Sequence, residues 1–122
     1  MTVALTTNEI VALVDEQLAL ITEDCVSSQI RSLLVSPRQE QRPWDYGQSG
    51  ETRICWIVLE HRPSSTAIAY CRDGFVDPWG ILSLQPAHSS MGIDGSWFAF
   101  LEDAFRSSSA WKGVNPPGYE VR

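Results

Sequence analysis

Cys71, His61 and Asp73 are residues of this chain whose types could together do covalent chemistry, and Cys55 is a second thiol near them in sequence. A thiol beside an imidazole that takes its proton, with a carboxylate to orient the ring, is the set a nucleophilic catalyst needs. All four fall within residues 53–73, so the element that must position them is that stretch. It reads as a β-hairpin: Ile54, Cys55, Trp56, Ile57, Val58 and Leu59 are apolar and rich in β-branched and aromatic types, Pro63-Ser64-Ser65 supplies a turn, and Ala67-Ile68-Ala69-Tyr70 is a second apolar run.

A three-residue loop at 63–65 sets Arg62 opposite Thr66. Trp56, Val58 and Glu60 then share a face with Ile68, Tyr70 and Arg72. The other face gathers Cys55, Ile57, Leu59 and His61 with Ala67, Ala69, Cys71 and Asp73. A loop one residue longer reverses this partition. On this register His61 and Cys71 are far apart along the ladder and no Gly-rich or helix-terminal oxyanion site adjoins either, so no catalytic residue is assigned. Cys55 and Cys71 fall diagonally, about 7–8 Å apart, beyond the roughly 6.8 Å between Cα atoms that a disulfide spans. They are expected to be free, buried thiols. The small alanine and cysteine side chains point to the face covered by helices. The opposite face, with Trp56, Glu60, Tyr70 and Arg72, and Arg72 opposite Trp56, is a candidate ligand groove.

Three Cys and two His without close spacing give no zinc pattern, so neither metal nor cofactor is expected. No GxGxxG, Walker loop, GxSxG or HExxH occurs. Met91-Gly92-Ile93-Asp94-Gly95-Ser96 could suggest a phosphate cradle, but Asp94 would repel the anion and helix capping explains the segment.

Around the hairpin, Thr6-Thr7-Asn8-Glu9 fits a capping box that starts a helix running to about Ile21, with Ile10, Val11, Val14, Leu18 and Ile21 on its core stripe. A second helix starts at Thr22-Glu23-Asp24 and ends near Val35 before Ser36-Pro37. Residues 38–46 read as an edge strand, which tolerates Pro43. Residues 79–84 are a further strand. Asp94 caps a third helix whose stripe is Trp97, Phe98, Leu101, Ala104 and Phe105, with Glu102 and Arg106 as a surface pair. The expected fold is α+β: two N-terminal helices, a three- or four-stranded antiparallel meander and a C-terminal helix on the sheet. Residues 1–122 form one domain, with 110–122 an extended tail anchored by Trp111.

Hydrophobic residues make up 43% and charged residues 20%, which argues against wholesale disorder. The net charge of −6 is uneven: residues 1–30 carry Glu9, Asp15, Glu16, Glu23 and Asp24 and no Lys or Arg. Nucleic-acid binding needs a basic footprint, which this chain lacks. An odd cysteine count and the absence of a signal peptide or a membrane-length apolar run point to the cytoplasm.

The segments Pro43-Trp44-Asp45-Tyr46-Gly47, Cys55-Trp56 through His61, Tyr70-Cys71 through Phe75, Pro78-Trp79-Gly80 and Met91-Gly92-Ile93-Asp94 resemble those of a family of small uncharacterised bacterial proteins. The resemblance covers most of the chain from Val35 onward. It implies a bacterial protein and transfers no catalytic residue. In type, small acidic Trp-rich α+β proteins are similar to bacterial immunity proteins. The expected function is therefore a non-enzymatic protein-binding domain for a basic partner, with Trp44, Phe75 and Trp79 as anchors and Glu9, Asp15 and Glu16 as steering charges. The alternatives are a small enzyme or ligand-binding domain using the Trp56 groove, and a homodimer.

Overall fold

The computed structural model describes residues 4–122; residues 1–3, which open the segment read for a signal peptide, lie outside the described residues. The described chain runs α1 (Thr7–Ala19), α2 (Asp24–Leu33), β1 (Leu34–Pro43), β2 (Thr52–His61), β3 (Thr66–Tyr70), β4 (Trp79–Ser83), β5 (Trp97–Phe98) and α3 (Leu101–Arg106). The strands form one antiparallel sheet in the order β1-β2-β3-β4-β5.

The capping box forms as the sequence dictates. Thr6 Oγ1 accepts from Glu9 N at 3.2 Å and Glu9 Oε1 accepts from Thr6 N at 3.0 Å, satisfying two backbone donors at a helix start. Ile10, Val14 and Leu18 bury their stripe, while Val11 is 42% exposed. The second helix gives way directly to β1 at Leu34, so Ser36 and Pro37 lie within the strand. Pro37 falls where the β1–β2 register shifts between Leu34 and Arg38. A proline is tolerated at such an irregularity on an edge strand.

The third helix differs most from expectation. Asp94–Ser96 is a single 3-10 turn, Trp97 and Phe98 form β5, and α3 has only six residues. The physical reason lies in where the two rings go. Trp97 packs on one side of the sheet and Phe98 on the other, the alternation of a strand; a helical stripe would have put both on the same face. The sheet therefore has five strands. The Glu102–Arg106 pair forms, Nε to Oε2 at 3.0 Å, but the arginine side chain is only 1% exposed, so the pair is not a surface one.

The hairpin register also differs. His61, not Arg62, sits opposite Thr66, because Arg62–Ser64 makes a 3-10 turn and Ser65 closes a four-residue loop at φ 53°. A bulge between Ile57 and Leu59 then shifts the pairing once more, giving Trp56↔Tyr70 and Ile57↔Ala69. Tyr70 rather than Arg72 is thus opposite Trp56. The bulge sends Val58 and Leu59 to the same side and carries Glu60 to the other, opposite Ala67.

The helices cover the Trp56 face, reversing the expected assignment. Ile10, Val14, Leu18, Val26, Ile30, Leu101, Ala104 and Phe105 pack against Trp56, Val58, Leu59, Ile68, Trp79 and Phe98. The alanine and cysteine face is instead closed by loops: Cys55, Ile57, Ala67, Ala69, Cys71 and Leu82 lie under Met91 and Trp97, with Trp44 and Phe75 packed alongside. Small strand residues here make room for large rings from the loops and from β5. Gly80 is the clearest instance, since a Cβ there would stand 2.3 Å from Trp97 Cδ2. Gly80→Ala is expected to cost about 1–3 kcal/mol by overpacking, read as a lower urea midpoint with unchanged slope.

The tail is docked by more than Trp111. Arg106 lies between the rings of Trp111 and Tyr119, with its guanidinium carbon 5.1 and 4.9 Å from their centroids. The fully buried Asp103 carboxylate accepts from the Tyr119 hydroxyl and from Arg122 N and Nε. Burial and that hydrogen bond to Asp103 push the Tyr119 phenol well above its usual value. Gln29 fixes the start of the tail by exchanging two hydrogen bonds with the backbone of Lys112.

Candidate functional site

The two register shifts decide what the hairpin can do. Extending Trp56↔Tyr70 by one residue sets Cys55 directly opposite Cys71 rather than diagonally. Both thiols are free and fully buried, as expected, while Cys25 is free and exposed. Each thiol shifts the titration of the other, Cys71 downward and Cys55 upward. The Cys55 thiol donates to Cys71 and holds the latter's pKa below the usual thiol value against the effect of burial, helped by the backbone N–H groups of Asp73 and Gly74. Cys55 is shifted upward by the same hydrogen bond and by burial.

His61 sits at the other end of the ladder, opposite Thr66, so the structure does not bring it to Cys71. Its Nδ1 is 2.6 Å from Ser64 Oγ, which lies 2.7 Å from Thr66 Oγ1. This chain of polar side chains closes the hairpin turn. An imidazole beside a serine is the start of a nucleophilic pair. None of the described contacts of His61 is to a carboxylate that would orient it.

Trp56, Glu60, Tyr70 and Arg72 are not gathered into one groove. Trp56 is buried under the helices, and Tyr70 stacks edge-on against Trp79 at 4.9 Å. Arg72 lies beyond the strand end, Nε 3.5 Å from Asp73 Oδ1, and lines a small cleft of about 50 Å³ with Trp56. Glu60 faces the opposite side. It pairs with Arg38, and its Oε2 is 2.8 Å from Arg62 Nη2, an ion contact without hydrogen-bond geometry.

That opposite side carries a ladder of charge on β1. Arg38, Glu40 and Arg42 alternate along the strand, with Glu40 paired to both arginines. Arg42 is buried and also donates to Ser83 O at 3.1 Å. Beside them is an open groove of about 350 Å³ lined by Arg38, Glu40, Arg42, Arg62, Ser83 and Ser89, among others. Each of these three guanidiniums already has a carboxylate of the same chain. Internal pairing of that kind lowers the gain from an incoming anion, which must compete for the same donors.

The expected anchors divide in two. Trp44 and Phe75 meet edge to face at 5.0 Å, with Tyr46 against both, and Arg53 lies 4.8 Å from the Trp44 centroid. Trp79 is not with them; it is 2% exposed in the helix-side core. The steering charges Glu9, Asp15 and Glu16 are all exposed on α1. They are therefore on the helix-covered side of the sheet, whereas Trp44 and Phe75 cap the other. Between α1 and β1 is a cleft of about 70 Å³ that sequence reading missed, lined by Val11, Val14, Leu34, Val35, Pro37 and Val58, with Asp15 the charged residue among them. Val11 was the one available signal. It belongs to the core stripe by spacing yet is 42% exposed, lining that cleft.

No protein-family model, curated protein or solved structure matches the chain. Among the described residues no group of three or more His, Cys, Asp or Glu is placed to hold a metal ion, and no helix is long and apolar enough to cross a membrane.

Proposed function

We propose that this protein is a non-enzymatic binding domain for a basic protein partner, received on the α1 edge, and that its specific form is a bacterial immunity-type protein. The observation that carries this reading is the cleft between α1 and β1: an apolar slot with Asp15 at it, on a helix whose exposed acids have no Lys or Arg beside them in residues 1–30. Such a slot suits the aliphatic stem of a lysine or arginine, whose charged head would meet the Asp15 carboxylate. Glu16 and Glu9 extend the negative field that speeds the encounter. The Trp44–Tyr46–Phe75 cap, on the other side of the sheet, is a separate contact surface in this reading.

The test compares the wild-type chain with the double variant Asp15→Lys, Glu16→Lys, each used as bait in an extract of the natural host. Glu9 stays unchanged because its carboxylate holds the helix start. A basic partner is expected to be retained by the wild type, to lose affinity as salt rises, and to associate at least about tenfold more slowly with the double variant at low salt. Equal capture by both baits would sink the α1 assignment. A toxin gene beside this one would support the immunity form, and an operon of metabolic enzymes would count against it.

A further inference from the structure

We propose that Cys55 and Cys71 are a reversible redox pair, a cross-strand dithiol that a hydroperoxide oxidises to an intrachain disulfide.

Three observations meet here. The first is register, since continuing the Trp56↔Tyr70 pairing puts the two cysteines face to face. The second is the type of pair. Cys71 N donates to Pro78 O at 2.9 Å, toward the β4 side. A strand residue turns its N–H and C=O to the same neighbour, so Cys71 is in a non-hydrogen-bonded position toward β2. Such pairs bring Cα atoms to about 4.5 Å and side chains closest together. This is inside the disulfide range of roughly 4.4–6.8 Å and near its short end, where the bond is more easily reduced. The third is cover. Cys71 Sγ is 3.1 Å from where a Cβ on Gly74 would stand, so over the sulfur the half-buried Gly74 contributes no side chain, and the Met91 methyl is the other close neighbour of that point. A small peroxide has only this thin lid to pass.

The chemistry balances with the peroxide as oxidant. The Cys71 thiolate, which the Cys55 thiol and the Asp73 and Gly74 amides favour, attacks a peroxide oxygen; the O–O bond breaks, the leaving alkoxide or hydroxide takes up the proton that the Cys71 thiol released, and an alcohol or water departs, giving a sulfenic acid. Cys55 sulfur then attacks Cys71 sulfur, its proton joins the displaced hydroxide, and water leaves. Two thiols lose two electrons, and the hydroperoxide becomes an alcohol and water.

The test uses the folded Cys25→Ser chain, because Cys25 is exposed and would add intermolecular bridges. After hydrogen peroxide treatment under native conditions, both remaining thiols are expected to disappear from a titration in denaturant, a peptide map to contain one linked pair, and dithiothreitol to restore both. In the further variant Cys55→Ala, a dimedone adduct is expected on Cys71; in Cys71→Ala, none on Cys55. The proposal is overturned if the wild-type pair still titrates after oxidation, if only unlinked oxygen adducts form, or if the link appears only when denaturant is present. The wild-type measurements stand even if a variant fails to fold.

Discussion

Trp79→Ala is expected to remove about 3–5 kcal/mol of stability, in the range for deleting a buried aromatic ring. A chain of this size has about 5–15 kcal/mol in total, so the variant should unfold at a markedly lower urea concentration. Trp79 is 2% exposed, is opposite Phe98 on β5, and meets Tyr70 edge-on at 4.9 Å. Nothing can collapse into the space without disturbing both neighbouring strands. Trp44→Ala, by contrast, is expected to cost clearly less, since its ring is only partly buried and its ring contacts are Tyr46, Phe75 and Arg53. Urea unfolding of the two variants side by side checks this. Equal losses would mean that the aromatic cap contributes as much to stability as the helix-side core.

Arg106→Leu is expected to cost about 3 kcal/mol, the lower end for breaking a buried ion pair; the lower end applies because one partner, Glu23, is 41% exposed. The guanidinium makes three directed contacts, Nε to Glu102 at 3.0 Å, Nη2 to Glu23 at 3.1 Å and Nη1 to Asn115 Oδ1 at 2.9 Å, while stacked between Trp111 and Tyr119. Leucine keeps some of the packing and none of the donors, so Glu102 loses one of its two arginines, keeping Arg122. Residues 107–122 should then exchange amide hydrogens and be cut by protease faster than the sheet does. Arg106→Lys should restore the charge but not the fork, and so recover only part of the loss. If the tail remains as protected in Arg106→Leu as in the wild type, Asp103 with Tyr119 and Arg122 is its real anchor.

What was legible in the sequence was local. The capping box at Thr6 and Glu9, the stripe of Ile10, Val14 and Leu18, the apolar run of β2 and the turn at Pro63 follow from neighbouring residues alone. The class, helices first and then an antiparallel meander, follows with them. Trp97 and Phe98 are ambiguous in the sequence because two adjacent rings fit a helical stripe and a strand equally well. Gly80 and Phe98's neighbour Trp79 settle the matter only once β4 lies alongside.

The candidate sites show the same division. That Cys55 and Cys71 share a face is a matter of parity and survives two register shifts, since one-residue changes at the loop and at the Val58 bulge cancel in parity. That they stand opposite rather than diagonal does not survive in the sequence, because the two shifts add in position. Glu60 lies between them and so changes sides. The separation of Trp79 from Trp44 and Phe75, and of the α1 acids from that aromatic cap, is likewise invisible to spacing.

Sequence by itself determined which residue types each stretch of this protein holds: acids without bases over the first thirty residues, a surplus of tryptophan, and thiols in an apolar hairpin. Only the tertiary structure decided which of these residues meet. Periodicity fixes the direction a side chain takes from its own element, whereas contact between elements depends on register, bulges and which layer covers which face, and a single inserted residue in a strand changes all three.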